Sequence, residues 1–451
     1  MKKLIHLSVL LVILVSPVYS QSTAIDTSSF SLKDAVQYAL TNNESIKKSV
    51  LDEKSAEYKI KETIGSGLPQ LNASGQLNAF PALATQLLPG ELAGQPGTMI
   101  PVQFGTKYSA TGGLELQQLI FSKSFFVGLE AANTTRDLYR LRTQMSEEEV
   151  IYNVSSAFLQ LLQTKEQFNT VDANFERLEQ LEEILKLQHE NDIVTKVQVN
   201  RVIVNKTNLE NQRQSLLAVY EQQLNALKFF MNMSMEQEIA IDDSTTVLDF
   251  AGPIEEDIDQ VLAERVDYKL LNTQKNLYNL NVDNIRAGYY PRLSAFAQAN
   301  TNAQRDEFDF LDGNQPWFKA VTVGLQLNIP IFDGFQRRNK IKQAKIEVEK
   351  VDYDIHQLKQ STSMKLKNAI TQMQTSLSSI ETQEKNVALA QEVYDNTNDI
   401  YKEGLAPLTD LLDVEVSLRE AETNLINERL KYQLSQLNYL QAKGDLEILA
   451  L

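Results

Sequence analysis

The 451-residue chain has no cysteine. That excludes disulfides, a thiolate metal site and a cysteine-borne lipid. Histidine is nearly as scarce: only His189 and His356 lie beyond the first few residues, on separate helical segments and without His-Glu-x-x-His spacing, so no zinc site is expected. There is no Gly-rich phosphate loop and no serine in a nucleophile-elbow pattern, so neither an enzyme nor a cofactor is expected. Positive charge is in deficit, with 43 Lys and Arg against 59 Asp and Glu, and so acidic a surface argues against nucleic acid as a partner. Long apolar runs are missing too, except for one at the start.

That run spans residues 4–15, preceded by Lys2 and Lys3 and followed by Pro17 and Ser20. It predicts a secretory signal peptide, 1–20, cleaved after Ser20. A spanning helix needs about 18 apolar residues, which neither this run nor any other segment supplies. Without the signal the net charge falls to −18.

What is present is written twice. GLPQLNASGQLNA (67–79) parallels YYPRLSAFAQANT (289–301), and GGLELQQLIF (112–121) parallels VGLQLNIPIF (323–332). NDIVTKVQV (191–199) parallels EGLAPLTDL (403–411) at an offset of 212. Duplication of one structural unit follows. The expected organisation is a first repeat, 21–238, with a β-hairpin at 68–121; a linker, 239–256, whose Gly252-Pro253 breaks the helical period; a second repeat, 257–443, with a hairpin at 290–332; and a tail, 444–451.

Within each repeat the period switches. Residues 31–64 and 257–287 read as helices, with Asp34 and Asp257 near their starts. Residues 123–188 and 336–401 carry apolar residues at 3–4 spacing, coiled-coil-like at Phe168, Val171, Phe175, Leu178, Leu181 and Leu185. Helices of that length are rods of about 100 Å that must lie side by side to bury their stripes. Shorter returns are expected at 196–231 and 408–442.

Four segments alternate instead. In 321–331 every odd residue is apolar, from Val321 to Ile331; Leu71–Ala79, Tyr108–Leu116 and Leu293–Ala299 alternate in the same way against Gln, Asn and Ser. Runs of 10–12 residues cross a bilayer as tilted strands, and an amide-rich polar face suits a water-filled lumen. A soluble amphipathic sheet would alternate too. Four strands cannot close a barrel, and an open edge in lipid leaves backbone groups unpaired. Either the sheet is soluble or several copies share one barrel.

The stretch YKEGLAPLTDLLDVEV (401–416) holds the sharpest candidates. Asp410 and Asp413 share one face of a starting helix. The residues alone leave four readings: Asp410 as a cap on the helix after Pro407, an acid/base pair, a metal site, or a site formed only where several chains meet. Two carboxylates per chain become a ring wherever copies meet around an axis, and such a ring would form a cation-selective constriction.

With these residues the chain resembles the TolC-like outer-membrane efflux protein family. The resemblance covers the duplicated helix–hairpin–long helix–return helix unit, Pro69 and Pro291 at strand entries, and the tip motif Tyr401-x-x-Gly404-Leu405…Thr409-Asp410-x-x-Asp413. It implies a mainly α fold with a small β part: long coiled-coil-like helices forming a periplasmic α-barrel, plus four strands per chain contributing to a shared 12-stranded transmembrane β-barrel. It further implies a homotrimer in outer-membrane lipid, docked to a periplasmic adaptor and an inner-membrane pump of RND or ABC type. Asp410 and Asp413 would ring the periplasmic entrance, Tyr401 and Gln198 would belong to the gating latch, and the turns at Gly404, Leu405, Asp192 and Ile193 would face the adaptor. The chain departs from the family pattern at Gln198, where an acid is expected, and at Ala406, where a base is. Asp192 and His189 stand where the second repeat has Gly404 and Tyr401. Closure must then rest on other contacts.

Three segments remain. FQRRNKIKQAK (335–345) is a basic run immediately after the last strand, readable as a solvated helix face or as a contact for lipid phosphates. Residues 80–105, with four prolines, read as an extracellular loop over the barrel mouth, and 301–318 as its partner. The functional expectation is a passive exit duct for efflux or type I secretion; the alternative is a soluble periplasmic coiled-coil scaffold or adaptor.

Overall fold

The computed structural model describes residues 28–94, 96–242 and 257–450. The expected signal peptide and residues 243–256 of the expected linker lie outside the described residues. The chain runs β1 (Ser28–Phe30), α1 (Leu32–Asn42), α2 (Glu44–Gly65), β2 (Gln70–Ala79), β3 (Thr85–Pro89), β4 (Met99–Gln103), β5 (Tyr108–Phe121), α3 (Lys123–Glu190) and α4 (Lys196–Met231). It continues through β6 (Ile239–Ile241), α5 (Ile258–Glu264), α6 (Val266–Ala287), β7 (Arg292–Arg305), β8 (Phe318–Asn328), α7 (Gln336–Lys402) and α8 (Leu408–Lys443).

α3 and α7 are 68 and 67 residues long, about 100 Å each, and neither contains proline. α7 has no glycine either, and the single glycine of α3, Gly128, stands in its second turn. The segments read as single helices at 31–64 and 257–287 are each broken once. Asn43 leaves the helix (ψ 132°) and caps α2, accepting from the Ser45 amide at 2.8 Å while its own amide donates to the Phe230 carbonyl at 2.8 Å. Arg265 breaks the second segment (ψ 135°), pairing with Asp267 at 2.6 Å and donating to the carbonyls of Gln441 and Ala442. In both, a distant partner on the return helix outweighs a weak local preference, which periodicity does not reveal.

The main core lies where both repeats meet. Val154, Phe158 and Leu161 of α3 pack with Val36 of α1, Leu227 of α4 and Leu437 of α8, all fully buried. β1 and β6 pair in parallel beside it, so residues 239–241, read as linker, are part of the fold. The tail is likewise docked, with Leu446 buried and the Ala450 carbonyl accepting from Gln37 at 2.9 Å. A second core follows heptads toward the far end: Val171, Leu178 and Leu185 of α3 against Val202 and Leu209 of α4.

Four strands form one antiparallel sheet in the order β2-β5-β7-β8. Its register aligns the faces across all four: Leu71, Leu116, Ala297 and Val323 form one row, and Asn72, Glu115, Gln298 and Thr322 the next. The apolar rows are bare. Val321, Val323 and Leu325 are 75, 76 and 71% exposed, and Leu71 66%. On the polar face Phe296 lies over Gly324, where an added Cβ would come within 2.8 Å of its ring, and the Asn300 carboxamide covers Gly113 in the same way.

The segments read as loops are in part strand, since β7 runs on to Arg305 and β8 starts at Phe318. Within 80–105, β3 and β4 form a separate hairpin. Within 301–318, buried Arg305 donates to the Pro316 carbonyl and pairs with Asp309 at 3.2 Å, beneath a chain of rings from Tyr108 through Phe308 and Phe310 to Trp317.

At the repeat junction, Glu148 of α3 borders a cavity of about 570 Å³ shared with Arg142, Arg265, Asp267 and Lys365. Burial pushes its carboxyl from 4.5 up to about 7, against the pull of Arg265 and with the push of Asp267 and Glu447. A carboxyl raised in the folded state weakens the fold when ionised. The penalty is therefore full above about pH 7 and fades as pH falls toward 4.5. Glu148→Gln is expected to raise the melting temperature at pH 8 and to leave it unchanged near pH 4.5, as read by thermal melts across that range.

Candidate functional site

The two turns at the far ends of the long helices are built alike. After α3 the Ile193 amide donates to the Gln188 carbonyl at 2.9 Å and the Asp192 amide to that of His189 at 3.0 Å. After α7 the Leu405 amide donates to Ile400 at 3.0 Å and the Gly404 amide to Tyr401 at 2.9 Å. Both close the helix through a left-handed residue, Asp192 at φ 59° and Gly404 at φ 76°. Glycine adopts that conformation freely, and aspartate is among the few others that tolerate it. Ile193 and Leu405 therefore project at equivalent places, 70 and 75% exposed.

The return helices begin differently. Gln198 and Asp410 occupy the same third helical position. Gln198 is consumed locally: its carbonyl oxygen accepts from the Thr195 amide at 2.8 Å and the Thr195 hydroxyl at 3.1 Å, completing a capping box. Before Asp410 the capping position is Pro407, which has no amide hydrogen to offer and makes no side-chain cap. Among the described residues the Asp410 carboxylate accepts only from the Thr409 hydroxyl, at 3.3 Å, and it is exposed. The capping reading of Asp410 thus reduces to a favourable place in the first turn of α8. Asp413, one turn on and also exposed, borders a groove of about 430 Å³ with Thr409 and, from α4, Val197, Arg201 and Val204.

Tyr401 is half-buried against the second core, and burial raises its phenol. Among the described residues its hydroxyl makes no hydrogen bond, so it is not tied to Gln198 within the chain.

The contact between repeats near this end falls on residues that reading the sequence did not single out. Glu415 of α8 is 3% exposed, its carboxyl raised by burial despite Arg419 at 3.8 Å and the nearby charge of Arg177. The Arg177 guanidinium lies 5.5 Å from the centre of the Tyr394 ring, joining α3 to α7. The signal was an acid standing in the apolar series Leu408, Leu411, Glu415, Leu418. On α3 and α4 Glu182 pairs with Lys186 and with Lys206, each at 2.6 Å, and these hydrogen bonds, Lys186 first, hold its carboxyl below its usual range.

Comparison with known proteins agrees with this architecture. A family model described as Outer membrane efflux protein matches residues 258–444. The chain is 24% identical over 441 residues to Outer membrane protein TolC of Escherichia coli (strain K12), covering 92% of this chain and 82% of that protein. It is 26% identical over 174 residues to the Alkaline protease secretion protein AprF of Pseudomonas aeruginosa, covering 39% of this chain and 35% of that one. Among solved structures, VceC from Vibrio cholerae superposes with a TM-score of 0.70 at 16% identity, covering 92% of this chain and 96% of that one. The CmeC outer membrane channel of Campylobacter jejuni does so at 0.72 and 17%, covering 92 and 85%. With its long helices returning at like turns and its four-stranded sheet bare on one side, the chain shares the fold of these outer-membrane channels, and its second repeat matches the outer membrane efflux protein family.

Proposed function

We propose that the chain is the passive outer-membrane exit duct of a tripartite efflux pump or type I secretion system, working as a homotrimer and catalysing nothing. One observation carries this reading: among the described residues the sheet has two unpaired edges, β2 and β8, and an uncovered apolar face. In lipid each open edge must find a partner, so three copies pairing β8 with the next β2 would make a closed barrel of twelve strands. Twelve strands enclose a wider lumen than the eight that side chains alone can fill. The exposed residues Leu389, Val393 and Ile400 on α7 need the same neighbours to be buried. A soluble scaffold would not carry a bare face of Val321, Val323 and Leu325.

In the trimer the twelve helical lengths would form a tunnel below the barrel. Asp410 and Asp413 would then stand around its narrow end, and Ile193 and Leu405 would face a periplasmic adaptor leading to an inner-membrane pump. Purified protein is expected to require detergent, to have the mass of three chains by light scattering, and to conduct ions in planar bilayers. A monomer that stays dissolved without amphiphile and conducts nothing would overturn the proposal.

A further inference from the structure

Resting on the outer-membrane reading, we propose that the start of α7 is a docking surface for anionic glycerophospholipid headgroups at the helix-side rim of the barrel. Between Asp333 and Glu347 the chain has five cations, Arg337, Arg338, Lys340, Lys342 and Lys345, and no acid. In a chain of net charge −16 this is a local reversal of sign. Arg337 is engaged in the fold: it pairs with Asp333 at 3.5 Å and lies 5.4 Å from the centre of the Tyr289 ring, joining the end of α6 to the start of α7. The other four are exposed, and among the described residues none of them makes an ion pair. Arg338, Lys342 and Lys345 follow one another at spacings of four and three, which sets them along one side of the helix.

The position of the patch supplies the partner. β8 ends at Asn328, and between that end and the cations stand exposed Ile329, Ile331, Phe332 and Phe335. Tyr290 and Phe126 are exposed where the neighbouring strands meet their helices. Aromatic side chains just past the apolar rows mark a membrane–water boundary, and cations immediately beyond them meet phosphate. The patch thus continues the lipid-facing surface of the sheet. The first repeat has no counterpart, since only Lys123 precedes Glu130 there.

The test is native mass spectrometry of the delipidated protein in detergent, titrated with phosphatidylglycerol or phosphatidylcholine. Wild type is expected to retain phosphatidylglycerol preferentially. The preference should fall roughly fivefold per charge removed in Arg338→Gln/Lys342→Gln/Lys345→Gln. The control Lys48→Gln/Lys54→Gln/Lys385→Gln should keep it. Equal retention of the two lipids, or a triple variant that binds like wild type, overturns the proposal. So does a triple variant with unchanged lipid binding but altered ion selectivity, which would place the patch in the lumen. Conductance of the same preparation in planar bilayers keeps the outcomes separate: a conducting channel without lipid preference refutes the docking surface and leaves the duct standing.

Discussion

Leu325→Arg is expected to abolish barrel assembly. Leu325 sits mid-strand on the outermost strand, opposite Ala295, and is 71% exposed in the single chain. An arginine on the lipid face near the midplane costs about 2–4 kcal/mol, and a trimer carries the residue three times. The combined cost of roughly 6–12 kcal/mol is comparable to the whole stability of a typical domain. The neighbouring Gln326→Arg, opposite Ser294 on the polar face, should assemble normally. Unheated gel electrophoresis of protein refolded into vesicles reads both: loss of the trimer band for the first variant only. Assembly of Leu325→Arg at wild-type yield would mean that the bare face does not meet lipid.

The second large effect is expected from Asp410→Ala/Asp413→Ala. Both carboxylates are exposed and neither is spent on a helix cap. Brought around a three-fold axis they would number six. Two unit charges at 4 Å repel by about 1 kcal/mol in water and about 4 kcal/mol at an effective dielectric of 20, and a cation in their midst relieves that repulsion. Wild-type channels should therefore favour cations and be blocked by a trivalent one such as lanthanum. The double variant should lose its selectivity, and block should weaken on the order of a hundredfold, the equivalent of about 2.8 kcal/mol. Gln198→Ala is the informative control. It removes a cap and should cost about 1 kcal/mol of stability while leaving selectivity alone. A double variant with unaltered selectivity would show that the pair does not line the conduction path.

Much of this could be read from residue order because the relevant signals are local. Strict alternation from Val321 to Leu327 defines a strand whatever surrounds it, and the absence of proline and glycine from 336–402 leaves a helix no reason to stop. The likeness between the two tips also reads directly, since Asp192 and Gly404 are the residues that a left-handed closure tolerates. What escaped depends on partners far away in sequence. Asn43 and Arg265 break helices to reach residues more than 170 positions on. The three-residue strands β1 and β6 exist only as each other's complement. Phe296 breaks the polar alternation of β7 because Gly324 on the next strand leaves it room. Glu415 was passed over because a buried acid in an apolar series looks like noise until Arg177 and Arg419 are seen beside it.

The uninterrupted length of α3 and α7 also makes the protein a gauge. Each rod is one helix without proline, so the depth to which the tips reach below the sheet is set by residue count, at about 1.5 Å per residue. Removing seven residues from each rod and seven from the return helix packed along it would shorten that reach by about 10 Å and keep the remaining heptads in register. Removing seven from one rod alone would leave the two hairpin ends at unequal heights, and any ring of contacts made by both would be tilted. The envelope spacing that the protein serves is therefore encoded in matched helix lengths.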